Sequence, residues 1–183
     1  MLGWVSLRLR RVQWKDVGWQ VPTRPSSMLA VGLLAGLAFS AIELFLTQPL
    51  IVHFTGRMPD LSDFESIRGQ LVMLIVYLLL VWILAAFGEE LVYRGYLMNR
   101  IADLMRNGRT GWVVSLIVVS VVFGCSHIDQ GISGILENVW NGLLLGGLYL
   151  ACGRNLFAPI VAHGVADTID LVLIYAGAYP GLQ

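Results

Sequence analysis

Nineteen successive residues, 70–88, carry no charge, and Glu89 and Glu90 follow at once. A run of that length can cross a hydrocarbon core of about 30 Å, so the chain is constrained to fold in lipid. The overall composition agrees, with 57% hydrophobic residues, 13% charged and a mean hydropathy of +0.73, the balance of a membrane protein. The expected architecture is all-α: a polytopic transmembrane helix bundle of about five spans, over 28–52, 70–106, 112–125, 134–151 and 156–178. Residues 1–27 are expected to form a cytoplasmic interfacial amphipathic segment and residues 28–183 one transmembrane domain.

Segment 1–27 interleaves Arg8, Arg10, Arg11, Lys15 and Arg24 with Trp4, Trp14 and Trp19, the mixture that sits at the headgroups of a cytoplasmic leaflet. It lacks the uninterrupted apolar core of a secretory signal, so no cleaved leader is expected. Further basic residues, Arg100, Arg106, Arg109 and Arg154, flank the second and fourth turns, whereas the loop after His127 has none. This bias orients the chain with its N-terminus in the cytoplasm, although Arg57 and Arg68 lie in the first loop on the other side. Twelve basic and twelve acidic residues cancel, so net charge recommends no nucleic-acid partner. Cys125 and Cys152 lie in or beside apolar runs and read as small buried hydrophobes, without metal-knuckle spacing.

Carboxylates at membrane depth cost about 2.5–3.5 kcal/mol each near a helix centre, so they tend to face an interior cavity and serve function. Glu90 precedes Arg94 by four residues, the favourable order for an ion pair on one helix face. Glu89 points about 100° away around the axis and is left to face elsewhere. In a poorly hydrated site such a carboxylate is suited to taking and returning protons. The bland alternative is that the pair marks where a helix leaves the bilayer. Glu43, in the first span, reads as a polar partner of an Arg or Asn on another helix.

His127 ends the third apolar run. Counted from a turn centred on residues 108–109, Glu90 and His127 each lie about eighteen residues away, or about 27 Å. An antiparallel hairpin therefore sets the acid pair and His127 side by side. His163 and Asp167 are four apart on one face of the last span, but lie only about 12–18 Å from the turn at Arg154. That leaves them short of His127 unless the helices are offset. In the fourth span Gly142, Gly146 and Gly147 permit close helix approach, beside the polar Glu137, Asn138 and Asn141.

A glutamate and a histidine converging on a water can deprotonate it for attack on a carbonyl, and a second histidine with its partner can stabilise the oxyanion. Neither Ser126 nor Cys125 sits in a nucleophile-elbow context. Glu89, His127 and His163 could alternatively hold a zinc ion, though no H-E-x-x-H motif is present. A proton-linked carrier would use a similar set, but no inverted repeat is apparent. A non-catalytic immunity or scaffold protein, keeping the constellation for packing, is the remaining reading.

The three motifs taken together, Glu89-Glu90-x-x-x-Arg94, Phe123-x-x-x-His127 and Asn155 to Pro159 leading to His163-x-x-x-Asp167, resemble the CAAX protease and bacteriocin-processing family of intramembrane proteases, over roughly residues 71–173. The resemblance implies that Glu89 and His127 activate the attacking water, that Glu90 and Arg94 support them, and that His163 and Asp167 form the oxyanion side. The family commonly has Asn where Asp167 stands; an ionised aspartate would repel an oxyanion, so a protonated or positioning role is implied. Members are often labelled metalloproteases, and the absence of a metal is the favoured expectation here. The eukaryotic prenyl-protein protease of the family has more spans, so the substrate-gating periphery is smaller or supplied by a partner protein. The implied substrate is a prenylated, leader or other membrane-associated peptide, and the compact chain is read as a bacterial plasma-membrane protein in contact with lipid.

Overall fold

Lipid offers the backbone no hydrogen-bond partner, so the apolar runs satisfy themselves as helices. A computed structural model describes residues 13–181 and contains no strand among them. The long helices are α1 (Pro25–Thr55), α2 (Leu71–Leu104), α3 (Arg109–Cys125), α4 (Gly131–Ala151) and α5 (Phe157–Tyr175). Pro25 occupies the first turn of α1, where its missing N–H costs nothing. Gly56, at φ 70°, closes α1 in the left-handed conformation that favours glycine. Arg106 and Asn107 also take positive φ, making the tight α2–α3 turn.

The five expected runs all become helices, but their status as spans differs from expectation. Three, α1, α2 and α5, are long and apolar enough to cross a membrane singly. Helices α3 and α4 pass only as a pair bent by 62°, which is either a broken fourth span or a re-entrant loop that returns to the side it entered from. The reason is physical: α3 has 17 residues, about 25 Å at helical rise, and α4 carries Glu137, Asn138 and Asn141 in its first half.

The bundle is apolar outside and polar within. Leu34, Phe45, Leu79 and Leu84 are more than half exposed, while Ser40, Gln48, Glu90, Arg94, Asn99, Ser120 and His163 are buried. That distribution suits a hydrocarbon surround, where polar groups must find partners inside. Close approach is arranged by glycine. A Cβ on Gly32 or Gly36 of α1 would lie 2.7 Å from Val161 or from the Ala162 carbonyl of α5, and one on Gly142 would lie 2.9 Å from Ser120 of α3. Gly146 likewise abuts Leu116, whereas Gly147 faces open space.

Two long stretches of α2, Val81–Glu89 and Leu91–Met98, are π-helical. Such widened turns are rare and concentrate at functional sites. The carbonyls near their end are picked up by a side chain: Asn99 Nδ2 donates to the Arg94 and Gly95 oxygens at 3.1 and 2.8 Å.

Of the expected interfacial segment, residues 1–12, with Trp4, Arg8, Arg10 and Arg11, lie outside the described residues. The remainder docks on the bundle. Val17 is buried, Trp19 meets the Phe87 ring edge-on at 4.9 Å, and Gly18 accepts the Leu156 N–H at 3.0 Å. The opposite end is closed by loop 56–70, where Ser133 Oγ donates to the Arg57 carbonyl at 2.7 Å and the Asp60 N–H donates to the Gln130 carbonyl at 3.0 Å.

Candidate active site

Glu90 and Arg94 form the floor of the site. Both are almost wholly buried, and Arg94 Nη1 donates to Glu90 Oε1 at 2.7 Å, as the four-residue spacing predicts. Arg94 is further held by the Gly142 carbonyl at 3.3 Å from Nη2, and its guanidinium lies 4.6 Å from the Phe123 ring centroid. A guanidinium provides the planar, many-donor cation that a buried carboxylate needs.

His163 joins this floor. Its Nδ1 stands 2.9 Å from Glu90 Oε1 and its Nε2 stands 3.4 Å from Asp167 Oδ2. The ring is therefore fixed between two carboxylates from different helices. The depth expected from the Arg154 turn falls short because that turn is recessed. Asn155 and Leu156 are buried, with Asn155 Nδ2 bonded to the Gln20 carbonyl at 3.2 Å. The start of α5 thus lies within the bundle, and His163 reaches the level of Glu90.

Glu89 and His127 face one another's space as walls of a single cavity of about 440 Å³, which His163 and Asp167 also line. Glu89 is half-buried, and no hydrogen bond or ion pair engages its carboxylate among the described residues. The π-helical backbone retains the division expected of the two acids: one is neutralised and the other is open to the cavity. His127 Nδ1 lies 2.9 Å from the Phe123 carbonyl. A carbonyl only accepts, so Nδ1 carries a proton, and in the neutral ring Nε2 presents the lone pair. Phe123 sits between the histidines, with ring centroids 4.9 Å from His127 and 6.2 Å from His163. Tyr93 O–H donates to Ser126 Oγ at 3.0 Å, pinning α2 to the end of α3. The α2–α3 hairpin anticipated by counting residues thus brings the acid pair and His127 together.

No three His, Cys, Asp or Glu side chains among the described residues stand where they could share a metal ion. Both ring nitrogens of His163 already face carboxylates.

The cavity holds acids that the motifs leave out: Glu43, Asp129, Glu137 and Asp170. Glu43 does have the asparagine partner expected for it, since Asn141 Nδ2 donates to its Oε2 at 2.8 Å. Spacing carried a signal for two others. Asp170 continues the stripe of His163 and Asp167 at i+7, and Glu137 shares a helix face with Asn141 at i−4. Tyr179 closes this end. Burial first, then the charges of Asp170 and Glu43, push its phenol upward, so the hydroxyl keeps its proton.

Fold and site together define an integral membrane protein with a water-accessible, acid- and histidine-lined cavity among apolar helices. The chain belongs to the family described as type II CAAX prenyl endopeptidase Rce1-like, whose sequence profile matches residues 71–169, just over half of the 183 residues. That family is one of CAAX-type intramembrane endopeptidases acting on peptide or prenylated-protein substrates, and all six motif residues fall inside the matched stretch. No curated protein and no solved structure was found to match the chain.

Proposed function

We propose that the chain is an endopeptidase that hydrolyses a peptide bond of a membrane-associated, prenylated or leader peptide, using Glu89 and His127 to activate water. The observation that carries this reading is that an unpaired carboxylate and an imidazole with a presented lone pair line one cavity. Water between them loses a proton to Glu89 while His127 Nε2 orients it. Its oxygen adds to the substrate carbonyl carbon, and Glu89 then passes the proton to the leaving nitrogen as the C–N bond breaks. His163, held at Nδ1 by Glu90, forms the oxyanion side through its Nε2–H, which stands a long 3.4 Å from Asp167 Oδ2 and is shared with the oxyanion as charge develops, while Asp167 positions the ring. The reading takes no metal.

We place the protein in a bacterial plasma membrane with its N-terminus in the cytoplasm; the basic residues at that end and at the α2–α3 and α4–α5 turns support that orientation. Lipids surround it, and a partner protein would supply any further gating of substrate.

Glu89→Ala and His127→Ala tested in detergent and in liposomes should each lower cleavage by about 10²–10⁴-fold while leaving the unfolding temperature near wild type. Retained activity in either variant would defeat the assignment. A wild-type protein that cleaves nothing, while the variants lose stability, would favour the immunity or scaffold reading, in which the buried Glu90, Arg94 and His163 network serves packing.

A further inference from the structure

We propose that the end of the cavity formed by Glu43, Glu137 and Asp170 is a specificity subsite for a lysine or arginine side chain of the substrate. This rests on the endopeptidase reading above. Among the described residues six carboxylates line the cavity, against two imidazoles and no lysine or arginine. Arg94, in the floor beneath, is taken by Glu90. Glu137 is 5% exposed and its Oε1 has no hydrogen-bond partner. Asp170 Oδ1 is also buried without one. Glu43, Glu137 and Asp170 thus bring carboxyl groups together at one end of a cavity that no cation among the described residues lines.

Unpaired buried oxygens are costly, and opposite charge gains most where water is scarce. A cation brought by the substrate removes both penalties at once. Its class follows from the spacing. No three of these acids converge as metal ligands, whereas a lysine ammonium has three donors and an arginine guanidinium five, spread over a planar fork. A long aliphatic stem is also needed to reach the cluster from the peptide, and both side chains have one.

The distance to the chemistry fixes where the basic residue lies. From His163 to Asp170 is seven residues along α5, or about 10 Å at helical rise. An extended peptide advances about 3.3 Å per residue, so the basic residue is two to three positions from the scissile bond. Of the three acids, Glu137 lies within the stretch matched by the family profile, residues 71–169, and Glu43 and Asp170 lie outside it.

The test is a library of farnesylated and unlipidated peptides with lysine or its neutral counterpart norleucine, and arginine or citrulline, placed at each position around the cleaved bond. At one position, two to three residues away, the charged member should be cleaved with kcat/KM about tenfold above its neutral counterpart. Glu137→Gln and Asp170→Asn should each bring that ratio down by about threefold or more, and either variant alone suffices if the other does not fold. Cleavage with no charge preference at any position, or a preference surviving both substitutions, overturns the subsite and leaves the endopeptidase reading standing. Cleavage of no peptide sinks that reading and the subsite with it.

Discussion

Arg94→Met is the sharpest probe of what holds the site together. The substitution keeps much of the buried volume but removes the Nη1 donor 2.7 Å from Glu90, the Nη2 donor to the Gly142 carbonyl and the cation 4.6 Å from Phe123. Glu90 is fully buried, and leaving such a charge without its partner costs about 3–5 kcal/mol. His163 Nδ1 still stands 2.9 Å from the same oxygen, which argues for the lower end, about 3 kcal/mol. For a chain of this size that lowers the unfolding midpoint by about 6–12 °C, measured by thermal unfolding in detergent. Adding Glu90→Gln removes the stranded charge and keeps an acceptor for His163. The double variant should therefore recover more than about 1 kcal/mol relative to Arg94→Met. A single variant within about 1 kcal/mol of wild type, or a double variant less stable than the single, would refute the claim that Arg94 neutralises Glu90.

Three further outcomes follow from other parts of the molecule. Gly36→Val should separate α1 from α5, because even a Cβ there would meet the Ala162 carbonyl at 2.7 Å and Val165 at 2.7 Å; a loss of about 1–3 kcal/mol is expected, and unchanged unfolding would show that these helices are not in that contact. On a background with Cys125 and Cys152 replaced by serine, a membrane-impermeant maleimide should label Asn107→Cys only from the cytoplasmic side and Ser62→Cys only from the other, and the reverse pattern would invert the proposed orientation. Burial pushes the Cys152 thiol up, so on a Cys125→Ser background its alkylation rate should still climb above about pH 8.5, the ordinary thiol midpoint; a plateau below that pH would contradict the burial.

Much of the local organisation was legible without coordinates because it depends on intervals along one helix. Glu90 and Arg94 meet because four residues bring side chains onto one face, and His163 and Asp167 meet for the same reason. The α2–α3 hairpin was also readable, since equal counts from one turn place Glu89 and His127 at equal depth. Other features depend on contacts that intervals do not encode. The π-helical widening of α2 leaves no mark in the spacing, and Cys125 is exposed on the bundle surface although its apolar neighbourhood predicts burial. In lipid the apolar face is the outer one, so hydrophobic surroundings alone do not distinguish surface from core.

The amino-acid sequence alone determined that the chain folds in lipid as helices, and which acids and histidines would share a helix face, because hydropathy and a period of 3.6 residues are local properties. Only the tertiary structure decided that the turn before α5 is recessed, so that His163 reaches Glu90 across 73 residues, and that Glu43, Glu137 and Asp170 meet in the same cavity. Those meetings depend on the offset and bend of helices packed through glycine, which are set by many contacts together and by no single stretch of the chain.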